Sequence, residues 1–513
     1  MKLSLNGMSD GAFARAGCAV PAYDVQAMRQ KTLESPDWLH FGTGNLLRAF
    51  PAAVLCDMLS AGCADKGLIV AESHDGQIID AVFHPCEELS LLVTFLSGGG
   101  VSKRIVGSVA ASLRAEPEHA DWAQLVRCFM SPGLRLVSLT VTEKGYDASD
   151  ASFDAPANVM SRLAKLLYER YRRCASPLAL VSMDNLTDNG DKLKESVTSI
   201  AERWVRDGKA DIGFLAYLTH PGTLSYPLTM IDKITPAPDE TVSGDLSALG
   251  FDGMGIIRTQ KGTVTASFVN AEETGYLVIE DNFPNGRPAF EKAGFYMTDR
   301  ETVRLAEKMK VGACLNPIHT ALALFGCLLG YDRIHAEMAD ADLRAFVTQM
   351  AHREMLPAIT PPSILNPAVF LDEVLNKRLP NPYIPDSPRR IASDTSQKIP
   401  ARFGGTLKAY QSQERLDAGT LRCIPVVLAG WLRYLSGLRD DLTPFELSPD
   451  PMADWLSSRA ASGDYRGILM NERLFGVNLE EMGLMETIME NLRKMSASGG
   501  VRRAIQEALT VSD

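Results

Sequence analysis

Short apolar runs alternate with helical stretches through the first part of the chain, and no other feature constrains the fold as strongly. WLHFG (38–42), GLIVAES (67–73), LRLVSLTVTE (134–143) and LALVSMDN (178–185) have the length and composition of buried strands. Between them, LLRAFPAAVLCDMLSAG (46–62) and SRLAKLLYERYRR (161–173) carry apolar residues at helical spacing. Such alternation predicts a parallel sheet with helices on both faces. The pattern changes after about residue 290. DRETVRLAEKMK, HTALALFGCLLGYDRIHAEM, ADLRAFVTQMAHREM and AVFLDEVLNKRL all show helical periodicity, with few β-branched runs. The expectation is an α/β domain over 1–290 and a mostly α-helical domain over 291–513, divided near the turn-rich NFPNGRPAFEKAG (282–294).

Charge and cysteine usage narrow the function. The net charge is −11, with acidic and basic residues interspersed, and no basic stripe is present to follow a phosphate backbone. A nucleic-acid partner is therefore not expected. The nine cysteines are scattered and odd in number, and none forms a C-x-x-C pair, so the chain reads as reduced and cytoplasmic. MKLSLNGMSDGAFARAG lacks the apolar core of a signal peptide. Gly312 to Tyr331 is roughly long enough to span a bilayer. It holds Asn316, Pro317 and His319, which are costly in lipid, so a helix buried inside a soluble protein is the expectation and no membrane partner is foreseen.

The segment from His40 to Arg48, HFGTGNLLR, joins the first strand to the first helix. Gly42 permits a tight turn, and Gly44 lets a pyrophosphate approach the backbone. The helix start at Asn45 then offers unpaired N–H groups. The third glycine of the usual dinucleotide fingerprint is absent, and Arg48 stands one position beyond its slot. A bare G-x-G also occurs at ordinary strand–helix turns. Glu72, at the end of the second strand and roughly 30 residues on, adds an acceptor for ribose hydroxyls and disfavours a 2′-phosphate; Asp75 could fill the same part. Thr142, with Glu143 and Lys144, follows an apolar strand at the end that faces the cofactor crevice in such folds. These residues point to NAD, with NADP left open.

EKMKVGACLNPIH (307–319) carries the most chemistry. Oxidising a secondary alcohol needs a base for the hydroxyl proton and donors for the oxygen. A desolvated lysine can be that base, and Asn316 and His319, three apart on one helix face, can share the substrate oxygen. A solvated lysine and a core histidine fit the same spacing. Zinc is not expected, because Cys314 and His319 find no third ligand nearby.

Longer motifs run along the chain in a consistent order: HFGTGNLLRAF (40–50), VSLTVTEKGYD (137–147), VSMDNLTDNG (181–190), LTMIDKITP (228–236), VIEDNFPNGRP (278–288), EKMKVGACLNPIHTAL (307–322), SDTSQKIP (393–400) and LAGWLRYLSG (428–437). In these the chain resembles the polyol-specific long-chain dehydrogenases, the mannitol dehydrogenase family. That family includes mannitol 2-dehydrogenases, fructuronate reductases (mannonate oxidoreductases) and tagaturonate reductases. The resemblance implies a Rossmann-like N-terminal domain, a helical C-terminal domain and metal-free catalysis. It implies Lys310 as general base, with Asn316 and Asn185 polarising the substrate oxygen and His319 orienting the reactive hydroxyls. Glu307 would relay protons, while Asp232, Arg390 and Lys398 match positions that contact the sugar chain. A small-molecule sugar acid or polyol is the implied partner, and a monomer or small homo-oligomer the implied assembly.

Two departures from the family pattern stand out. Five residues, Val311 to Leu315, separate Lys310 from Asn316, where the family usually has four, so Lys308 stays open as the base. Pro317 follows Asn316, which suits a helix beginning at about Asn316 with the extra residue taken up by a loop before it. The substrate motifs are mixed: GNLLRAF is closer to tagaturonate reductases, TVTEKGY and VIEDNFPNGRP to fructuronate reductases. A hexuronate needs a cation, and Arg389 and Arg390 near Lys398 offer one. Interconversion of a keto-hexonate and its aldonate is the preferred reading, a mannitol-like polyol the second. A non-catalytic dinucleotide-binding sensor would require a broken Lys–Asn–His set.

Overall fold

The structure, a computed structural model, describes residues 1–510. The chain divides into two compact units, Met1–Arg304 and Leu305–Asp513. The first is built on six parallel strands, β1 (Trp38–Phe41), β2 (Leu68–Glu72), β3 (Val109–Arg114), β4 (Leu136–Leu139), β5 (Leu178–Ser182) and β6 (Leu224–Ser225). Their order is β3-β2-β1-β4-β5-β6. This is the doubly wound order of a Rossmann-type sheet, and its direction reverses between β1 and β4.

Period-two alternation gives the sheet a core on each face. Trp38, Leu68, Val70, Leu136, Ala179 and Val181 point to one side, where Ala52, Leu55 and Leu59 of a helix cover them. Leu39, Phe41, Ile69, Ala71, Val137, Leu139, Leu178 and Leu180 point to the other, under Phe129, Leu163, Leu167, Leu193 and Trp204. The helical stretch at 46–62 is two helices, α1 (Asn45–Ala49) and α2 (Pro51–Ser60). Phe50 breaks it at φ −131°, and Pro51 opens the second, where its missing N–H costs nothing. The opposite face carries α3 (Trp122–Met130), α4 (Val159–Arg173) and α5 (Asn189–Arg206).

Arg170, near the end of α4, is fully buried. Its guanidinium donates to five main-chain carbonyls, those of Phe129 at 2.7 Å, Ser131 at 2.8 Å, Leu134 at 3.1 Å, Ser176 at 2.9 Å and Pro177 at 2.9 Å. These carbonyls end α3 and precede β4 and β5, so one side chain joins the strand starts.

Smaller sheets not foreseen from the sequence complete the unit. Cys18–Ala19, Ser90–Phe95, Val101–Val106 and Phe268–Glu272 form one; β7 (Thr229–Asp232), β8 (Tyr276–Glu280) and β9 (Tyr296–Thr298) form another. β9 pairs with β8, and Phe290 packs edge-on against Trp38 at 5.3 Å. Residues 282–298 thus belong to the first unit, and the division falls later than the turn-rich segment, inside α6 (Arg300–Met309).

Among the described residues no strand follows Thr298. α6 runs into a π-helical turn, Lys310–Cys314, and then α7 (Asn316–Leu329). By length and composition Arg300–Leu329 could cross a membrane, but 72% of its most apolar stretch is buried inside the protein. Two further helices matter below, α8 (Thr395–Ser412) and α9 (Cys423–Tyr434). Buried Glu354 accepts from the N–H groups of Arg422 at 2.7 Å, Cys423 at 2.6 Å and Ile424 at 2.8 Å, capping the start of α9.

Replacing Arg170 by Met orphans five carbonyls. The first unit is expected to lose about 3–5 kcal/mol, read as a lowered urea midpoint by tryptophan fluorescence. An unchanged midpoint refutes the role given to this side chain.

Candidate active site

The sheet's reversal point shapes the candidate cofactor site of the first unit. Gly42 continues the ladder, its N–H bonded to Ala71 C=O at 2.9 Å, at φ +113°. A Cβ there would lie 2.4 Å from Thr140 O, so only glycine lets the chain turn against β4. Gly44 is different: a Cβ would meet nothing within 4 Å, and the space before α1 is open. Thr43 donates its hydroxyl to Glu72, whose other oxygen accepts from the N–H groups of His74 at 2.6 Å and Asp75 at 3.0 Å. Glu72 therefore ties the glycine turn to the end of β2. Asp75 is engaged by the hydroxyls of Thr259 at 2.6 Å and Thr263 at 2.7 Å.

Arg48 and Asn45 serve the wall of this turn. Arg48 is 1% exposed and donates to Ala266 O at 2.7 Å, Asn45 Oδ1 at 3.0 Å and Thr265 Oγ1 at 3.3 Å. Burial lowers its guanidinium to about 10. With its surface enclosed, it reaches the protein rather than a ligand. Asn45 also donates to Pro236 O at 3.3 Å. His40 lies between Ser138 Oγ at 2.7 Å and Thr140 Oγ1 at 2.8 Å, and burial pushes it down to about 3. It is a neutral core histidine.

Thr142 follows β4 at φ +63°, ψ 170°, a conformation that disfavours a side chain. Asp184 holds it there, accepting from the N–H groups of Thr142 at 2.9 Å and Val141 at 3.0 Å and from Tyr146 OH at 2.7 Å. Burial raises the Asp184 carboxyl, and these donors oppose the rise. Asn185, next in sequence, is exposed. Because the strands are parallel, Gly42, Glu72, Thr142 and Asn185 share the carboxyl edge of the sheet, where such folds bind ligands. Asp232 is buried at the end of β7.

In the second unit Lys310 is 4% exposed, whereas Lys308 is exposed. The extra residue before Asn316 is taken up by the π turn, not by a loop: Leu315 N–H bonds Lys310 C=O at 3.1 Å, a five-residue reach. α7 begins at Asn316 with Pro317 in its first turn. Glu307 stands one turn before Lys310 on α6. Among the described residues the Asn316 carboxamide has no hydrogen-bond partner, while its main-chain oxygen accepts from Thr320 Oγ1 at 3.0 Å and Arg402 Nη1 at 3.3 Å.

His319 Nε2 lies 3.3 Å from Asp386 Oδ2, an ion-pair distance at which the ring N–H is not aligned for a regular hydrogen bond. Burial pushes the imidazole below its ordinary value, and the Asp386 carboxylate opposes this. Burial raises Asp386 in turn, but His319 and Arg390 outweigh it and hold the carboxyl low. Arg390 pairs with Asp386, and its side chain is 66% exposed. Lys398 donates to Ile391 O at 3.0 Å and Ser393 Oγ at 3.3 Å; burial, helped by Arg402 nearby, lowers it to about 8. Asp386 and Arg402 were missed in the sequence, although each stands four residues from a residue that was found, Asp386 before Arg390 and Arg402 after Lys398. Among the described residues no three His, Cys, Asp or Glu side chains gather as a metal-binding group.

The chain is an oxidoreductase of the class that acts on CH–OH groups. The chain belongs to the mannitol dehydrogenase family: the family's Rossmann domain matches residues 36–292 and its C-terminal domain residues 303–496. It is 44% identical to a D-mannonate oxidoreductase of Thermotoga maritima, over 100% of both chains. Its fold is that of a substrate-free D-sorbitol dehydrogenase, with TM-score 0.81, 24% identity and coverage of 96% and 98% of the two chains. A mannitol 2-dehydrogenase of Pseudomonas fluorescens, solved as a ternary complex with NAD and D-mannitol, gives TM-score 0.73 and 24% identity over 100% of both chains.

Asp386 raises the His319 pKa and burial lowers it. Asp386→Asn is therefore expected to move the imidazole further down, in an NMR titration assigned with His319→Gln. An upward move would show that the carboxylate does not face this ring.

Proposed function

We propose that this chain is an NAD-dependent oxidoreductase that interconverts D-mannonate and D-fructuronate, with Lys310 as the general base. The observation that carries the reading is the 44% identity to a D-mannonate oxidoreductase along the whole of both chains. Lys310 supports it as a buried lysine at the first position of the turn that leads to Asn316 and His319. A lysine shielded from water can serve as such a base.

The residues of the first unit fit a dinucleotide. Gly42 makes the close turn, Gly44 opens onto free space, and the Glu72 carboxylate at the end of β2 favours ribose hydroxyls over a 2′-phosphate. The likeness to a fold solved with NAD points the same way. NAD supplies the hydride acceptor when bound. Thr142, fixed by Asp184, lines the same edge. Arg48 and Asn45 stiffen the turn from behind.

Lys310 takes the proton of the hydroxyl that becomes the carbonyl. The free Asn316 carboxamide donates to that oxygen, and His319, held by Asp386, orients the neighbouring hydroxyls. Glu307, Asn185 and Asp232 keep the parts the family resemblance gives them: proton relay, oxygen polarisation and sugar contact. Lys398 meets the sugar acid, while Arg390 holds Asp386. All nine cysteines are unpaired, which supports a cytoplasmic enzyme, here proposed as a monomer or small homo-oligomer.

The purified protein should oxidise NADH with D-fructuronate at a higher kcat/KM than with D-tagaturonate or D-fructose. Turnover of D-fructose with neither uronate overturns the reading. Lys310→Ala should cut kcat by about 10³-fold while NADH binding, followed by its fluorescence, is kept. Near-normal turnover in that variant would transfer the base to Lys308.

A further inference from the structure

Helix α8 lays a stripe of side chains along the π turn and the start of α7. Lys398, Arg402 and Thr406 are four apart, hence on one face. Thr406 donates to Gly312 O at 3.2 Å. Arg402 Nη1 donates to Asn316 O at 3.3 Å and to the Thr320 hydroxyl. The guanidinium is thereby fixed beside the two residues, Asn316 and His319, that the preceding section assigns to the reacting end of the substrate.

What distinguishes Arg402 is the absence of an anion. Among the described residues no carboxylate pairs with it, and Nε and Nη2 donate to no protein group. Asp386, the carboxylate beside His319, is already shared by His319 and Arg390. Arg170, by comparison, uses all its donors on carbonyls, and Arg389 is paired with Glu446. Enclosure lowers the Arg402 guanidinium to about 10 with no opposing negative charge, and its own charge depresses Lys398 one turn away. Asp394 and Asp450 partly offset the charge of Lys398, but the enclosed Arg402 guanidinium has no such counter-ion and is unfavourable until an anion arrives. A guanidinium with one edge unused matches a carboxylate in shape.

We propose that Arg402 is the specificity residue that binds the carboxylate of the sugar acid, with Lys398 as its partner. The proposal rests on the sugar-acid reading above and adds to it the residue that separates acids from neutral polyols. Arg390 is excluded from that task because it is largely exposed and neutralised by Asp386.

The test compares D-mannonate and D-mannitol as substrates, with NAD, for the wild-type protein, Arg402→Gln and Arg402→Lys. In Arg402→Gln, KM for D-mannonate should rise about 10²-fold, kcat should change less than KM, and the ratio of kcat/KM for acid over polyol should fall at least about tenfold. Arg402→Lys keeps the charge without the fork and should fall in between. It also decides the matter if Arg402→Gln does not fold. An unchanged acid-to-polyol ratio, or a loss confined to kcat with KM for D-mannonate unmoved, overturns the role of Arg402 alone. Wild-type protein that turns over no sugar acid overturns the underlying reading instead.

Discussion

Main-chain carbonyls that end or begin an element inside a protein must find donors, and Arg170 answers that need for five of them. The six-stranded sheet depends on this. β4 and β5 start where Leu134, Ser176 and Pro177 are held, and a strand fixed at its start presents its far end predictably. At those far ends lie Thr142 and Asp184, which set the carboxyl edge. The second unit solves the reverse problem with an anion: Glu354 collects the free N–H groups at the start of α9. In both units a buried charge is matched by main-chain dipoles rather than by an opposite charge. Such matching fixes geometry without leaving a group that a ligand could recruit.

The candidate site uses the other kind of charge. Lys310, Lys398 and Arg402 are enclosed to different degrees, and the proposed division of work follows their surroundings. Lys310 is the most enclosed and suits proton transfer. Lys398 leans on two oxygens of the segment before α8 and Arg402 on the start of α7, so both are held in place while keeping donors for a substrate. Arg390, which looked equivalent in sequence, acts one step back by clamping Asp386, and Asp386 steadies His319.

Much of this was legible in the residues. The four apolar runs are strands of one sheet, and the later periodic segments are helices. Period-two burial on both faces explains why those runs read as continuously apolar. The small sheets were not legible: β7 is four residues long and β9 three, and their partners are distant in sequence. The turn formers at 282–294 mark a loop that packs on the first unit through Phe290, and the compact units divide after Arg304. Gly42 was legible through its spacing. Arg48 was not, since sequence cannot say that its helix turns the guanidinium inward onto Ala266. Asp386 and Arg402 needed only the i, i+4 rule applied outward from Arg390 and Lys398, but each spacing acquires meaning once α8 is known to lie along the π turn.

The π turn itself has a consequence for how such a chain can vary. Adding a residue to an α-helix swings everything beyond it by about 100°, one residue's share of a 3.6-residue turn. Such a swing would change the angular setting of Asn316 and His319 relative to Lys310. A wider turn, closed by the Leu315 to Lys310 bond, absorbs the added residue and keeps the two helices in phase. The segment therefore behaves as a slip joint: its length can change by one while the angular setting of the side chains around it is preserved. Positions on either side are then equivalent among relatives by phase rather than by residue count. A gapless comparison anchored on Asn316 would set Val311, not Lys310, against the position of the proposed base.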